Sequence, residues 1–126
     1  MRLDVMIPSV HELTQKRCQP CKEGATPFSL EQAKEYLRQL RGWVLAESGL
    51  SISREYVMKD FITAVRFINQ IAEVAELEDH HPDLHLTGYR KLRIELATHS
   101  IGGLSENAFI LAAKIEELPK ELKKTA

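Results

Sequence analysis

Histidines and carboxylates that could move protons lie in two short stretches of this 126-residue sequence. Among side chains, imidazole has the unperturbed pKa nearest to neutrality, so histidines gathered beside carboxylates are natural proton donors and acceptors at working pH. The pattern therefore predicts general acid–base chemistry. The residues concerned are Glu76, Asp79, His80, His81, Pro82, Tyr89, Thr98 and His99.

A long helix must carry the first of these stretches. Asp60 can cap its start, and one apolar stripe at helical spacing is widened by a second. So broad an apolar surface predicts a central, heavily buried helix that ends just before His80 and His81. The first stripe consists of Phe61, Val65, Ile68, Ala72 and Ala75, and the second of Ala64, Phe67, Ile71 and Val74.

A strand leads to the second stretch. Leu92, Ile94 and Leu96 alternate with polar or small residues in a two-residue period. Continuing that alternation places His99 on the side away from the apolar row, at the point where the strand ends. We therefore expect the His99 side chain to face a ligand.

The remaining elements complete a small α+β fold. Ser29 and Gln32 resemble a capping box, Gly42 offers a helix stop, and Ser105 can cap a last helix. The order helix, strand, strand, helix, strand, strand, helix implies a two-layer sandwich in which three helices cover one face of a four-stranded antiparallel sheet. Helices are predicted from Ser29 to Gly42, from Asp60 through Ala75, and from Ser105 to Pro119, and strands over 43–46, 50–58, 84–86 and 92–99.

Three regions follow from these elements. Residues 1–28 read as an extended or loosely packed N-terminal arm, residues 29–118 as the folded domain, and residues 119–126 as a polar C-terminal tail. Cys18 and Cys21 have a spacing that suits zinc or disulfide chemistry. Because no second cysteine pair completes four zinc ligands, a plain pair of reduced thiols is the favoured interpretation.

Composition excludes several classes of function. With 17 basic and 18 acidic side chains, the chain has no net field to attract nucleic acid or an anionic membrane. The first ten residues lack the continuous apolar core of a secretory signal, and no run approaches the length of a membrane span. We expect a soluble cytoplasmic protein of one domain, whose open sheet edges favour self-association.

The histidine pattern is also that of a known family. In that family an acidic residue is followed, after three positions, by His, His and Pro, then by an aromatic residue and a later His. From Ser29 to Leu118 the sequence thereby resembles the pterin-4a-carbinolamine dehydratases. The resemblance implies removal of water from 4a-hydroxytetrahydropterin to give the quinonoid dihydropterin, with no metal or organic cofactor. The matching residues here are Glu76, His80, His81, Pro82, Tyr89 and His99.

Roles for single residues come from the same resemblance. His80, His81 and His99 are implied as catalytic imidazoles, with His81 and His99 favoured as the acid and base pair because they lie on separate segments. Glu76 and Asp79 are implied to hold the polar edge of the pterin or to orient a histidine. Thr98 is implied to add a backbone contact, and Tyr89 is the aromatic of the pattern.

Other interpretations of these residues stay open. His80 can simply cap the long helix, where the helix dipole favours a cation. His85 lies near the histidine doublet and suggests a His-rich metal site with Asp79, but adjacent histidines and the intervening Pro82 are poorly suited to chelation. Tyr89 can be a packing aromatic, and Glu76 a solvated helix carboxylate.

The sequence departs from the family at two places. Leu84 stands where family members carry an aromatic residue, and Asn107 and Ala108 stand where an aspartate is expected. An alternative function is therefore a non-catalytic binding or assembly factor, for Rubisco or as a transcriptional cofactor, with a protein partner. A homodimer or a homotetramer is expected in either case.

Overall fold

The computed structural model describes residues 7–20 and 25–124 and contains the predicted two-layer α+β fold. The four strands form one antiparallel sheet in the order β1-β2-β4-β3, so β1 and β3 are its edges. The fold class is confirmed. The helices are α1 Val10–Gln15, α2 Leu30–Leu37, α3 Phe61–Glu78 and α4 Glu106–Glu117, and the strands are β1 Val44–Leu45, β2 Ile52–Val57, β3 Asp83–Thr87 and β4 Lys91–Leu96.

Side-chain caps begin the helices where the sequence predicts them. The Ser29 hydroxyl accepts the Gln32 N–H, and the Asp60 carboxylate accepts the Thr63 N–H at 3.0 Å. The Ser105 hydroxyl caps α4 in the same way. Each cap satisfies an N–H group that the first turn of a helix leaves without a partner.

The sheet has one apolar face and one polar face. Leu92, Ile94 and Leu96 on β4 are fully buried under the helices, as their alternation predicts. The residues between them face the other way, and Arg93 contacts Glu95 at 3.5 Å there. Polar side chains on that face are compatible with water, as in many antiparallel sheets.

The orientation of α3 differs from the prediction. The stripe containing Ala64, Phe67 and Ile71 covers the core, and each of these side chains is at most 1% exposed. The other stripe is covered only in part: Phe61 is 55% exposed and Ala72 is exposed, whereas Val65 and Ile68 are half-buried and Ala75 is buried. We call Phe61, Val65, Ile68 and Ala72 the outward stripe. The prediction of a heavily buried helix was therefore wrong at Phe61 and Ala72, because a single sheet can cover only one side of a helix.

The described part of the arm carries a helix that the sequence analysis missed. Ser9 and Glu12 form a capping box at the start of α1, and Leu13 is fully buried against the rest of the core. Residues 10–15 are therefore helical, whereas residues 16–20 have no regular secondary structure. Cys21 lies outside the described residues, so the structure gives no pairing for Cys18.

The C-terminal tail also has contacts. Leu122 forms a bridge with Met58, and the Lys123 N–H donates to the Val57 carbonyl at 2.9 Å. These bonds extend the pairing beyond the end of β2. None of the helices within residues 7–20 and 25–124 combines the length and the apolar character needed to cross a membrane.

Candidate active site

The end of α3 fixes the position of the histidine doublet. Asp79 adopts a left-handed conformation with φ of 50°, and its N–H donates to the Glu76 carbonyl. The N–H of His80 donates to the Ala75 carbonyl at 3.2 Å, which completes a Schellman motif. This motif turns the chain sharply, so that His80 is buried while His81 is exposed. Aspartate tolerates this conformation better than most residues do.

Glu76 and His81 form a close pair. Oε2 of Glu76 lies 2.5 Å from Nε2 of His81, although the two residues are five positions apart and belong to different elements. When the carboxylate accepts a hydrogen from Nε2, a neutral ring has its lone pair on Nδ1. In that tautomer, Nδ1 is the nitrogen of His81 that can accept a proton.

A cavity of about 280 Å³ lies beside the doublet. Its volume is close to the lower end of the roughly 300–1,000 Å³ typical of small-ligand pockets. Three segments of the domain and one segment of the arm supply its walls. The lining residues are Gln19, Pro20, Asp79, His80, His81, Ala97, Thr98, Ser100 and Asn107.

The backbone of His99 lies beside this cavity, although not on an extended strand. The predicted alternation ends at Leu96, and His99 begins a short 3-10 helix, His99–Ile101. The loop closes because Thr98 pairs with Gly103, whose carbonyl accepts the Thr98 N–H at 2.6 Å. Since the neighbours Thr98 and Ser100 both line the cavity, the backbone of His99 is at its wall.

Tyr89 lies apart from the other predicted site residues. It is in the turn between β3 and β4, whereas the doublet precedes the opposite end of β3. Its ring is 56% exposed and contacts the Arg90 guanidinium at 5.2 Å. Within one chain, the structure therefore does not bring Tyr89 to the cavity.

The positions of Leu84 and His85 bear on the departure from the family pattern and on the alternative of a metal site. Leu84 is half-buried against the core instead of lining the cavity, and His85 is exposed on the polar face of the sheet. Across the described part of the chain, no three His, Cys, Asp or Glu side chains lie together as metal ligands would.

Five lining residues were not predicted from the sequence: Gln19, Pro20, Ala97, Ser100 and Asn107. Asn107 is 7% exposed, and its amide exchanges two hydrogen bonds with the Gln19 backbone. A contact between residues so distant in the chain leaves no local pattern. The signal for Ser100 was its position next to His99.

A buried carboxylate lies next to the site but does not line the cavity. Glu78, the last residue of α3, is 8% exposed and contacts the Lys114 ammonium at 2.6 Å. Burial acts to raise the pKa of Glu78, but hydrogen bonds from Lys114 and the Cys18 N–H, together with the Lys114 and Arg17 charges, outweigh it and lower the pKa. Glu78 is therefore an anion at neutral pH.

The arrangement can hold a flat polar ligand between proton-transfer groups. His80 and His81 offer imidazoles at one wall, and Thr98 and Ser100 offer hydroxyl and backbone groups at another. Asp79 adds a carboxylate at the rim, where it is exposed. Groups of these types suit proton transfer to and from a nitrogen heterocycle.

Known proteins resemble this chain in sequence and in fold. A sequence model described as "Pterin 4 alpha carbinolamine dehydratase" matches residues 26–118. A Nitrosomonas europaea protein that bears the name of this dehydratase is 46% identical over 113 residues, which are 89% of this chain and 97% of that protein. Because that match is longer than residues 29–126, it includes part of the arm.

Two other relatives extend the comparison. The mitochondrial pterin-4-alpha-carbinolamine dehydratase 2 of Arabidopsis thaliana is 44% identical over 90% of this chain and 62% of its own length. A crystal structure from Brucella melitensis, described as a transcriptional coactivator/pterin dehydratase, has a TM-score of 0.68 and 35% identity, covering 72% of this chain and 96% of that one. The chain therefore belongs to the pterin-4a-carbinolamine dehydratase family.

Proposed function

We propose that this protein dehydrates 4a-hydroxytetrahydropterin to the quinonoid dihydropterin by histidine general acid–base catalysis. The observation that carries the proposal is the cavity itself, which has the His80–His81 doublet at one wall and Thr98 and Ser100, the neighbours of His99, at another. Family membership supplies the substrate class. The protein's own groups suffice for the reaction, so no metal or organic cofactor is needed.

The reaction requires two coordinated proton transfers. The C4a–O bond breaks, and the departing oxygen takes a proton from a general acid and leaves as water. A ring nitrogen gives up its proton to a general base as the new double bond forms, so the net products are the dihydropterin and water. General acid–base catalysis by a positioned side chain typically raises a reaction rate by roughly 10²–10⁴-fold.

We assign the acid and base to His81 and His99, which lie on separate segments. The contact with Glu76 supports the assignment of His81, because a carboxylate holds the imidazole ring in one orientation. His80 and Asp79 would contact the ligand at the same wall, and Thr98 at the opposite one. Tyr89 could contribute only from another copy of the chain.

The test is the loss of the ultraviolet signature of the carbinolamine in the presence of the purified protein. We expect His81→Ala and His99→Ala to lower the catalysed rate by roughly 10²–10⁴. His85→Ala is the matched control, because His85 is exposed on the polar face of the sheet. Wild-type rates equal to those in buffer would contradict the proposal.

A binding or assembly role is the second candidate. The Brucella relative is described as a transcriptional coactivator as well as a dehydratase. The start of α3 supports such a role here, because Phe61 and Ile62 are both more than half exposed. A protein that binds a pterin but does not accelerate dehydration would favour this candidate.

A further inference from the structure

Residues Arg17–Pro20, which we call the arm segment, are attached to the domain at two points. The first point is Glu78, whose Oε1 accepts the Cys18 N–H at 2.8 Å. Oε2 of the same carboxylate lies 3.2 Å from Arg17 Nε and 2.6 Å from Lys114 Nζ. A single buried anion therefore joins the arm segment, the end of α3 and the side of α4.

The second point is Asn107 in the first turn of α4. Its Oδ1 accepts the Gln19 N–H at 2.9 Å, and its Nδ2 donates to the Gln19 carbonyl at 2.6 Å. A side-chain amide thus pairs with backbone as a neighbouring strand would. Both bonds go to the Gln19 backbone, whereas Nε2 of the Gln19 side chain donates to the Arg17 carbonyl at 3.3 Å.

These attachments place the arm segment at the cavity. Gln19 and Pro20 line it together with the histidine doublet, whereas Glu78 does not line it. Both anchors belong to the elements that position the site: Glu78 precedes the Asp79 turn directly, and Asn107 is itself a lining residue. The arm segment is therefore fixed relative to the imidazoles.

The chemistry of the arm segment suits a pterin. The pyrimidine ring of a pterin presents hydrogen-bond donors and acceptors along one edge, and a glutamine amide offers both kinds of group. Pro20 adds an apolar surface, which Ala97 alone supplies among the other lining residues. Polar groups that fix orientation beside an apolar surface are typical of ligand pockets.

We propose that the arm segment is part of the pterin-binding site, with Gln19 and Pro20 contacting the ligand and Glu78 acting as a positioning residue. The inference rests on the proposed function. It predicts that the arm segment determines affinity rather than the rate of proton transfer. Changes there should raise KM for the carbinolamine and leave kcat nearly unchanged.

The experiment compares three variants of the full-length protein by calorimetric titration with 7,8-dihydrobiopterin. Gln19→Ala removes a cavity side chain but keeps both backbone bonds to Asn107. Glu78→Gln keeps the side-chain shape and removes the charge that holds Arg17 and Lys114. Glu73→Gln makes the same charge change at an exposed position of α3 and is the control.

We expect both test variants to bind the pterin about tenfold more weakly than wild type, which corresponds to ~1.4 kcal/mol. In Glu78→Gln, hydrogen exchange at the Cys18 amide should also accelerate, because its acceptor becomes neutral. In Gln19→Ala that amide should exchange as in wild type. Glu73→Gln should match wild type in both measurements.

The outcomes separate this inference from the proposed function. If wild type binds the pterin and both test variants bind it equally well, the arm segment is not part of the site and the proposed function is untouched. If wild type binds no pterin and shows no dehydration, the proposed function is overturned and this inference with it. Circular dichroism of each variant establishes that it is folded.

Discussion

Oε2 of Glu76 lies 2.5 Å from Nε2 of His81, yet the two side chains are 76% and 54% exposed. A pair so accessible to water contributes at most about 1 kcal/mol to folding, because solvent screens it and two side chains lose freedom. The close contact between Glu76 and His81 is therefore better explained as orienting the imidazole than as stabilising the fold. Activity and stability should respond differently when the pair is changed.

The Glu76→Gln variant tests this separation. We expect kcat to fall by about tenfold, a part of the roughly 10²–10⁴ that general acid–base catalysis contributes. The free energy of unfolding in urea should change by less than about 1 kcal/mol. Glu73→Gln serves as the control on the same helix. Equal kcat values for wild type and Glu76→Gln would show that the carboxylate does not orient His81.

Glu78 predicts a dependence of stability on pH. Its pKa is lowered in the folded protein from the usual 4.5, so below about that pH the unfolded chain takes up the proton first. The stabilisation from Glu78 is therefore complete above that value and is lost as pH falls through the folded-state pKa.

The measurement is urea unfolding of wild type and Glu78→Gln between neutral and acidic pH. The difference in unfolding free energy between the two proteins should be largest near neutrality and shrink as the solution becomes acidic. A difference that stays constant with pH would mean that Glu78 is not the titrating group.

The first residues of three helices could be predicted from the local sequence. Ser29, Asp60 and Ser105 cap their helices as predicted, because a cap depends on a few adjacent residues. The strand alternation of Leu92 to Leu96 was equally informative, since a two-residue period directly assigns the faces of a half-buried strand. The doublet and Glu76 could be grouped from the sequence because they lie within six positions of one another.

Long-range packing could not be predicted in the same way. Both stripes of α3 are apolar, so spacing alone could not decide which one the sheet covers. The arm illustrates a different failure: Ser9 and Glu12 give the same capping signal as Ser29 and Gln32, but a helix of six residues is stable only through tertiary contacts. The wall formed by Gln19 and Pro20 depends on those contacts.

Leu13 provides a direct test of the arm as part of the fold. It is fully buried, so Leu13→Ala should lower the free energy of unfolding by about 2–5 kcal/mol through lost apolar burial and a cavity. His11→Ala, at an exposed position of the same helix, should change it by less than about 0.5 kcal/mol. Similar thermal midpoints for the two variants would show that α1 is not packed on the domain.

The outward stripe of α3 predicts self-association. Phe61, Val65, Ile68 and Ala72 follow one another at helical spacing, and Phe61 and Ala72 are exposed in the single chain. Patches of this kind commonly mark contacts between copies of a protein. We therefore expect a homodimer or homotetramer in sedimentation velocity experiments.

Ala72→Glu should weaken that association, because it places a charge in the stripe without removing any side chain from the core. An unpaired charge buried in an interface costs several kcal/mol, so the shift toward smaller species should exceed about a hundredfold in dissociation constant. Ala72→Ser is the control, since it adds a polar group of similar size but no charge. If the wild-type protein sediments as a monomer, the prediction of self-association is wrong. If Ala72→Glu sediments as wild type does, the outward stripe is not part of the contact.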